Sequence, residues 1–344
     1  MEIKKRVILS FDYELFFGER SGTVLKSLIE PTNKIMDVME RVGFRGNFFI
    51  DVLMIKCLKQ FTDDFCRNDL YLIENQLRDM IRRGHRIELH LHPHWVDAKY
   101  NGDGTWNFDD FQHYCLSSFN ESDINNMFLE GVDYLNSIGS EVTSNYKVCS
   151  FRAGGWAIQP FHKLKEAFIL TGIKIDSSCA KGIYVKNKNS SYDFRNLPIK
   201  DIFKFENDVC IEDKNGSFIE VPISTYHRPF ICSFVHKVFQ YIHKDYNIRL
   251  TDGTHYRPSE KKDSNYIQKL YNLLYPQNVL YMMSFSQSNP YTLKNIIKKS
   301  SSSLFCIIDH PKDFSNATCD GISSLSSCCK SILYKEIGDS ILYD

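Results

Sequence analysis

Apolar positions along the chain follow two rhythms. Short, largely apolar runs such as "RVILSFD" (6–12), "RGNFFIDV" (45–52) and "HRIELHLH" (85–92) are too short for helices. They predict strands buried on both faces. Between them, residues 31–44 repeat apolar side chains at helical spacing (Ile35, Val38, Met39, Val42), with Gly43 as the stop. Residues 70–84 do the same with Leu70, Ile73, Leu77 and Met80, and stop at Gly84. Such spacing predicts two amphipathic helices. Strand, helix, strand, helix, strand implies a parallel sheet with helices laid on its faces.

The alternation continues. Residues 122–139 predict a helix capped by Ser122 and ended by Gly139. "VCSF" (148–151) is a strand running into the glycine turn "RAGGW" (152–156), residues 158–173 read as a helix, and "KIDSSCAKG" (174–182) as a strand end. From 184 to 265 the rhythm loosens, with "FIEVPIS" (218–224) as a strand, 230–246 as a helix and 251–263 as a loop. It resumes with a strand at 279–285, a helix at 290–299 and a strand at 304–311. The serine-rich stretch beyond Ser315 carries a weak amphipathic pattern and predicts a terminal helix.

Composition narrows the function. The 344 residues include 43% hydrophobic ones, enough for a large core. Lysine plus arginine equals aspartate plus glutamate at 42 each, so no bulk field draws the chain to nucleic acid or an anionic membrane. No apolar run reaches the roughly 18 residues of a membrane span. The opening apolar run soon meets Asp12, Glu14 and Glu19, which does not suit a signal peptide. The 11 cysteines are scattered without zinc-finger spacing. They read as reduced thiols of a cytoplasmic protein.

The rarest chemistry sits where predicted strands end: Asp12 and Glu14, the run "HLHPH" (90–94), Arg152, Asp176 and His310. In a parallel α/β barrel these ends converge on one face, where active sites lie. Neutral imidazole is a common ligand for a first-row divalent ion. In a straight strand His90 and His92 share a face about 7 Å apart. Should the chain turn at Pro93, His94 folds back beside His90 instead, and spacing leaves both pairings open. Asp12 and Glu14 share a face of an extended chain, so one suits a metal and the other a base.

These residues carry a resemblance. "SFDYE" (10–14), "GHRIELHLHPH" (84–94), "RAGGW" (152–156), "DSS" (176–178) and "IIDHP" (307–311) stand in the order of the motifs of the metal-dependent polysaccharide deacetylases, carbohydrate esterase family 4. The chain is most similar to the cytoplasmic, surface-polysaccharide-biosynthesis branch of that family. The resemblance implies a distorted (β/α) barrel of about seven parallel strands over 1–315. It implies an insertion around 184–265, and 316–344 follow as an extension packed on the barrel. It implies Asp12 as base, Arg152 as the group positioning it and His310 as acid. One divalent ion, zinc, would be held by Glu14, His90 and His94. His92, Trp95, Gly154, Gly155, Trp156 and Asp176 would line the substrate groove, and the substrate would be an N-acetylated sugar or polysaccharide precursor.

The motifs depart from the family at Tyr13, which separates the two acids, and at "RAGGW". "TWNF" (105–108) and the polar loop "DGTHYRP" (252–258) are further candidates for substrate contact, although His255 and Arg257 read as surface residues. Two other readings remain. "LHLHPH" (89–94) also resembles the His-x-His start of barrel amidohydrolases and phosphoesterases, but two strands precede it here. The departures also suit a carbohydrate-binding relative without turnover.

Overall fold

Both faces of the predicted strands are covered, as their composition demands. The computed structural model describes residues 4–228, 238, 241–243, 246, 248–255, 279–286 and 288–341. Its first half repeats strand and helix: β1 Lys5–Tyr13, α1 Glu30–Arg41, β2 Asn47–Asp51, α2 Val52–Leu58, α3 Asp64–Arg82, β3 Arg86–Leu91, α4 Glu121–Ser140 and β4 Ser150–Ala153. Then come α5 Lys165–Thr171, β5 Ile175–Asp176, β6 Phe203–Phe205, β7 Phe218–Glu220, α6 Pro290–Lys299 and β8 Leu304–Asp309. The chain continues through α7 Asn316–Leu325, β9 Cys329–Ser331 and α8 Tyr334–Ile341.

The main sheet runs β6-β7-β5-β4-β3-β2-β1-β8, with β9 beside the start of β1. Every pairing from β7 to β8 is parallel, giving seven parallel strands, and β6 joins β7 antiparallel. The sheet curls into a half-barrel. Its ends approach where β7 runs on: Ser224 N–H donates to the Cys306 carbonyl (2.9 Å), and Ile308 N–H donates to Met283 (3.0 Å). The expected α/β barrel architecture is therefore present.

Strand parity then sorts side chains between two cores. Val7, Leu9 and Phe11 of β1 point outward to the helices, packing with residues such as Ile35, Met39, Ile73 and Leu77. Ile8 points inward with Phe49, Ile175, Ile219, Cys306 and Ile308 to fill the lumen. Tyr334 and Ile337 of α8 join that inner cluster and plug the lumen from below.

Several local expectations are corrected. The cap of α4 is Asn120, whose side chain accepts from Asp123 N–H, because Ser122 already lies within the first turn. The helix expected over 158–173 is regular only from Lys165, since Pro160 is extended and precedes a single tight turn. Beyond Ser315 the chain forms helix, strand and helix rather than one helix. The three-residue β9 is too short to show a period. In the 184–265 stretch, Tyr184–Lys186 and Ser191–Asp193 form a hairpin. The helix expected over 230–246 and much of the loop at 251–263 lie outside the described residues.

One pairing yields a stability prediction. Asp176 and Glu220 face each other across β5 and β7 and are both buried. Burial and the neighbouring Asp176 hold the Glu220 carboxyl well above its usual range. The folded state thus binds a proton that the unfolded state releases above about pH 4.5, and stability falls as pH rises from there. Glu220→Gln should raise the thermal midpoint by about 2–4 °C at pH 8 and leave it nearly unchanged at pH 4.5. A midpoint that drops at pH 8 would reject the shared-proton account.

Candidate active site

The same parity builds the site. Ser10, Asp12 and Glu14 continue the inward positions of β1, and His90 and His92 continue those of β3. Arg152 on β4 and His310 just past β8 also face inward, and the group meets at the C-terminal mouth of the half-barrel. Asp12, Glu14, His90, His92, His310 and Lys312 line a cavity of about 320 Å³ with Phe17, Tyr114, Gly155, Trp156, His255 and Asp313.

Beneath the cavity lies a buried ion pair. Arg152 Nη1 donates to Asp12 Oδ1 at 2.6 Å, and both side chains are almost fully buried. The guanidinium is fixed on every side. Nε donates to the Ser177 carbonyl (2.8 Å), and Nη2 to Ser10 Oγ (2.9 Å), Ser177 Oγ (3.2 Å) and Tyr334 Oη (3.2 Å). Its flat face lies 4.2 Å from the Phe49 ring centroid. Such a fork cannot swing without breaking several bonds, so the Asp12 carboxylate is aimed by its partner.

Glu14 Oε2 lies 3.3 Å from His90 Nε2 and 3.2 Å from His92 Nε2. Two donors about 2.1 Å from one tetrahedral ion stand roughly 3.4 Å apart, so this spacing fits a zinc-like ion. The tautomers fit as well. His90 Nδ1 donates to the Arg152 carbonyl (2.7 Å), so the proton the ring would give up to an ion is the one on Nε2, which faces Glu14. His92 Nδ1 pairs with His94 Nδ1 at 2.7 Å. A proton on His92 Nδ1 likewise frees its Nε2. Burial pushes His92 down to about 3, so its imidazole is neutral near pH 7. Burial also opposes charge on His90, but the hydrogen bond to Glu14 and nearby Asp12 raise it to about 9.

His94 is therefore not the partner of His90 that the resemblance implied. Pro93 opens a tight turn, Pro93–Asp97, that carries His94 out of line with the strand. Its ring packs among Phe17 (4.8 Å), Phe108 (4.9 Å) and Tyr114 (6.4 Å), and Nε2 has no hydrogen-bond partner. The strand pair His90 and His92 is what the fold brings to Glu14, among the described residues.

Other expectations separate similarly. Trp95 is buried against Trp106 (5.3 Å) and Phe108 (4.9 Å) and does not line the cavity. Asp176 does not line it either. The pleat turns Ser177 toward Arg152, while Asp176 accepts from Ser178 Oγ (2.7 Å). Ser178 in turn receives Ala153 N–H (2.8 Å), so Asp176 braces the turn that follows β4. In that turn a Cβ on Gly154 would fall 2.6 Å from the Leu91 carbonyl oxygen and 2.8 Å from His92 Cγ. Gly154 thus lets the chain pass close behind His92, while Gly155 and Trp156 reach the cavity.

His310 Nε2 lies 3.6 Å from both Asp12 Oδ2 and Glu14 Oε1. Of the two aspartates beside it in sequence, Asp309 and Asp313, the second is near its ring, at 3.7 Å from Nδ1. Asp309 instead accepts from Ser286 N–H and His310 N–H, and burial pushes it up to about 7. Burial lowers the His310 pKa despite Asp12 and Glu14, so without a bound cofactor its ring is less readily charged than an exposed histidine. Three contributors escaped the sequence reading: Lys312, whose Nζ donates to Glu14 Oε1 (2.8 Å); His255, whose Nε2 meets Asp313 (2.6 Å); and Tyr334.

No family model and no curated protein matches the chain. Solved structures similar to it include a protein assigned as a polysaccharide deacetylase from Mycobacterium smegmatis. That match has a TM-score of 0.47 and 11% identity, over 99% of this chain and 92% of that one. A family 4 carbohydrate esterase from Streptomyces lividans matches with a TM-score of 0.38 and 8% identity, over 96% and 92%. A 4-alpha-glucanotransferase from Thermococcus litoralis matches with a TM-score of 0.44 and 11% identity, over 99% of this chain and 41% of its own. The likeness lies in the course of the chain, at identities too low to carry over a residue's role. Among the described residues no helix is long and apolar enough to cross a membrane, and the described cysteines are free thiols.

Removing the brace on a candidate ligand should register in metal binding. His94→Phe keeps a ring in the aromatic cage but takes away the partner of His92 Nδ1. Zinc affinity, measured by competition with a chromophoric chelator, should fall about 10–100-fold. Unchanged affinity would show that His94 does not set the His92 tautomer.

Proposed function

We propose that this chain is a metal-dependent hydrolase that removes an N-acetyl group from an amino sugar or a polysaccharide precursor. The observation that carries the reading is the division of two inward carboxylates. Asp12 is held by Arg152, while Glu14 faces His90 and His92. One acid is thereby reserved as a base and the other as a ligand.

Glu14, His90 and His92 would hold the ion. When bound, it supplies Lewis acidity toward an acyl oxygen and an adjacent water. Asp12 accepts the proton of the attacking water, and Arg152 keeps it aimed. His310, on the other side of Asp12 and Glu14, protonates the departing nitrogen. Backbone N–H groups at Gly154 and Gly155 are candidates to receive the oxyanion. Trp156 and Tyr114 offer faces to the apolar side of a sugar ring. A cavity of about 320 Å³ is at the small end for ligand pockets, which suits one sugar unit better than a bound polymer. The balanced charge and intracellular-type cysteines fit a small activated or carrier-linked sugar inside the cell.

The experiment is acetate release from a panel of N-acetyl-sugar donors by zinc-loaded protein, with chelator-treated protein as control. Asp12→Asn should lower turnover about 10²–10⁴-fold while zinc stays bound, because it removes a base and not a ligand. Loss of zinc in that variant would make Asp12 a ligand and end the division of roles. His310→Ala should likewise lose turnover and keep its zinc. Turnover at the wild-type rate would leave the leaving group without this acid.

A further inference from the structure

Lys312 is an unexpected neighbour for a metal ligand. It sits in the turn Pro311–Asp313 that follows His310 and is 2% exposed. A buried ammonium is costly unless it is closely paired. Here Nζ donates to Glu14 Oε1 at 2.8 Å and to the Leu15 carbonyl at 3.1 Å, above the rings of Phe17 (4.8 Å) and Phe16 (5.5 Å). The two Glu14 oxygens therefore have separate surroundings. Oε2 faces the histidine nitrogens, and Oε1 is bound by Lys312.

We propose that Lys312 is a charge clamp on the ligand carboxylate. It restricts Glu14 to binding a divalent ion through Oε2 alone, and it makes the site bind that ion more weakly than the bare triad would. The inference rests on the reading of Glu14, His90 and His92 as the ligand set. Both effects of the clamp act in one direction. A carboxylate whose second oxygen is engaged cannot become bidentate. A fixed positive charge a few ångströms from a divalent ion repels it, and at the effective dielectric of a buried site that repulsion is worth orders of magnitude in affinity. What the site loses in affinity it gains in electrophilicity, because a carboxylate already shared with an ammonium donates less charge to the ion. Lys312 thus acts on the ion through Glu14, as a positioning residue.

The test is zinc affinity of the full chain, by chelator competition, for wild type, Lys312→Met and Lys312→Gln. The glutamine keeps a hydrogen bond to Glu14 without the charge, and it carries the test if the methionine variant fails to fold. Zinc should bind at least about tenfold more tightly to each folded variant, and the cobalt-substituted variants should show weaker visible absorption as the coordination number rises. Equal or weaker zinc binding in the folded variants would overturn the clamp while leaving the ligand triad standing. If neither wild type nor variants bind zinc, the triad fails and the clamp falls with it.

Discussion

The buried pair of Asp12 and Arg152 is the constraint around which the rest is arranged. A guanidinium and a carboxylate inside a half-barrel are tolerable only when every donor is met, since an unmet charge there costs several kcal/mol. Meeting them recruits Ser10 from β1, Ser177 from the end of β5 and Tyr334 from α8. The Arg152 carbonyl then orients His90. One side chain thus fixes the Asp12 carboxylate, and its own backbone fixes the His90 ring. This is the physical basis for an arginine at the end of the fourth strand.

Much of this arrangement was legible in the sequence because strands have a period of two. Asp12 and Glu14, and His90 and His92, share faces by parity alone. The apolar runs correctly announced a parallel sheet. His94 was misplaced because the resemblance favoured a spacing of four, whereas the tight turn after His92 sends the next ring into an aromatic cage. Asp176 failed for the opposite reason: parity places its neighbour Ser177 inward, and the motif drew attention to the acid. Trp95 shows that an aromatic beside a site motif is as easily a core residue.

Other contributors left little trace. Lysines are seldom buried, so Lys312, one residue beyond the "IIDHP" motif, drew no reading as part of a site. Tyr334 lies in a serine-rich stretch without a clear period, and its role depends on contacts with residues more than 150 positions away. His255 lies within a polar loop and read as a surface residue, and only folding sets it against Asp313.

The order of the strands in the sheet also bears on how the chain acquires its shape. β1 stands between β2 and β8, and its register pairs Arg6 with Leu304 and Phe11 with Asp309. A nascent chain therefore carries β1 with one long, apolar edge unpaired until nearly three hundred further residues have been made. Contacts of such wide sequence separation slow folding and leave strand edges open to wrong partners. During synthesis this protein should depend on chaperones that shelter that edge. Fragments ending before residue 304 should accumulate as aggregates rather than as partly folded, soluble protein.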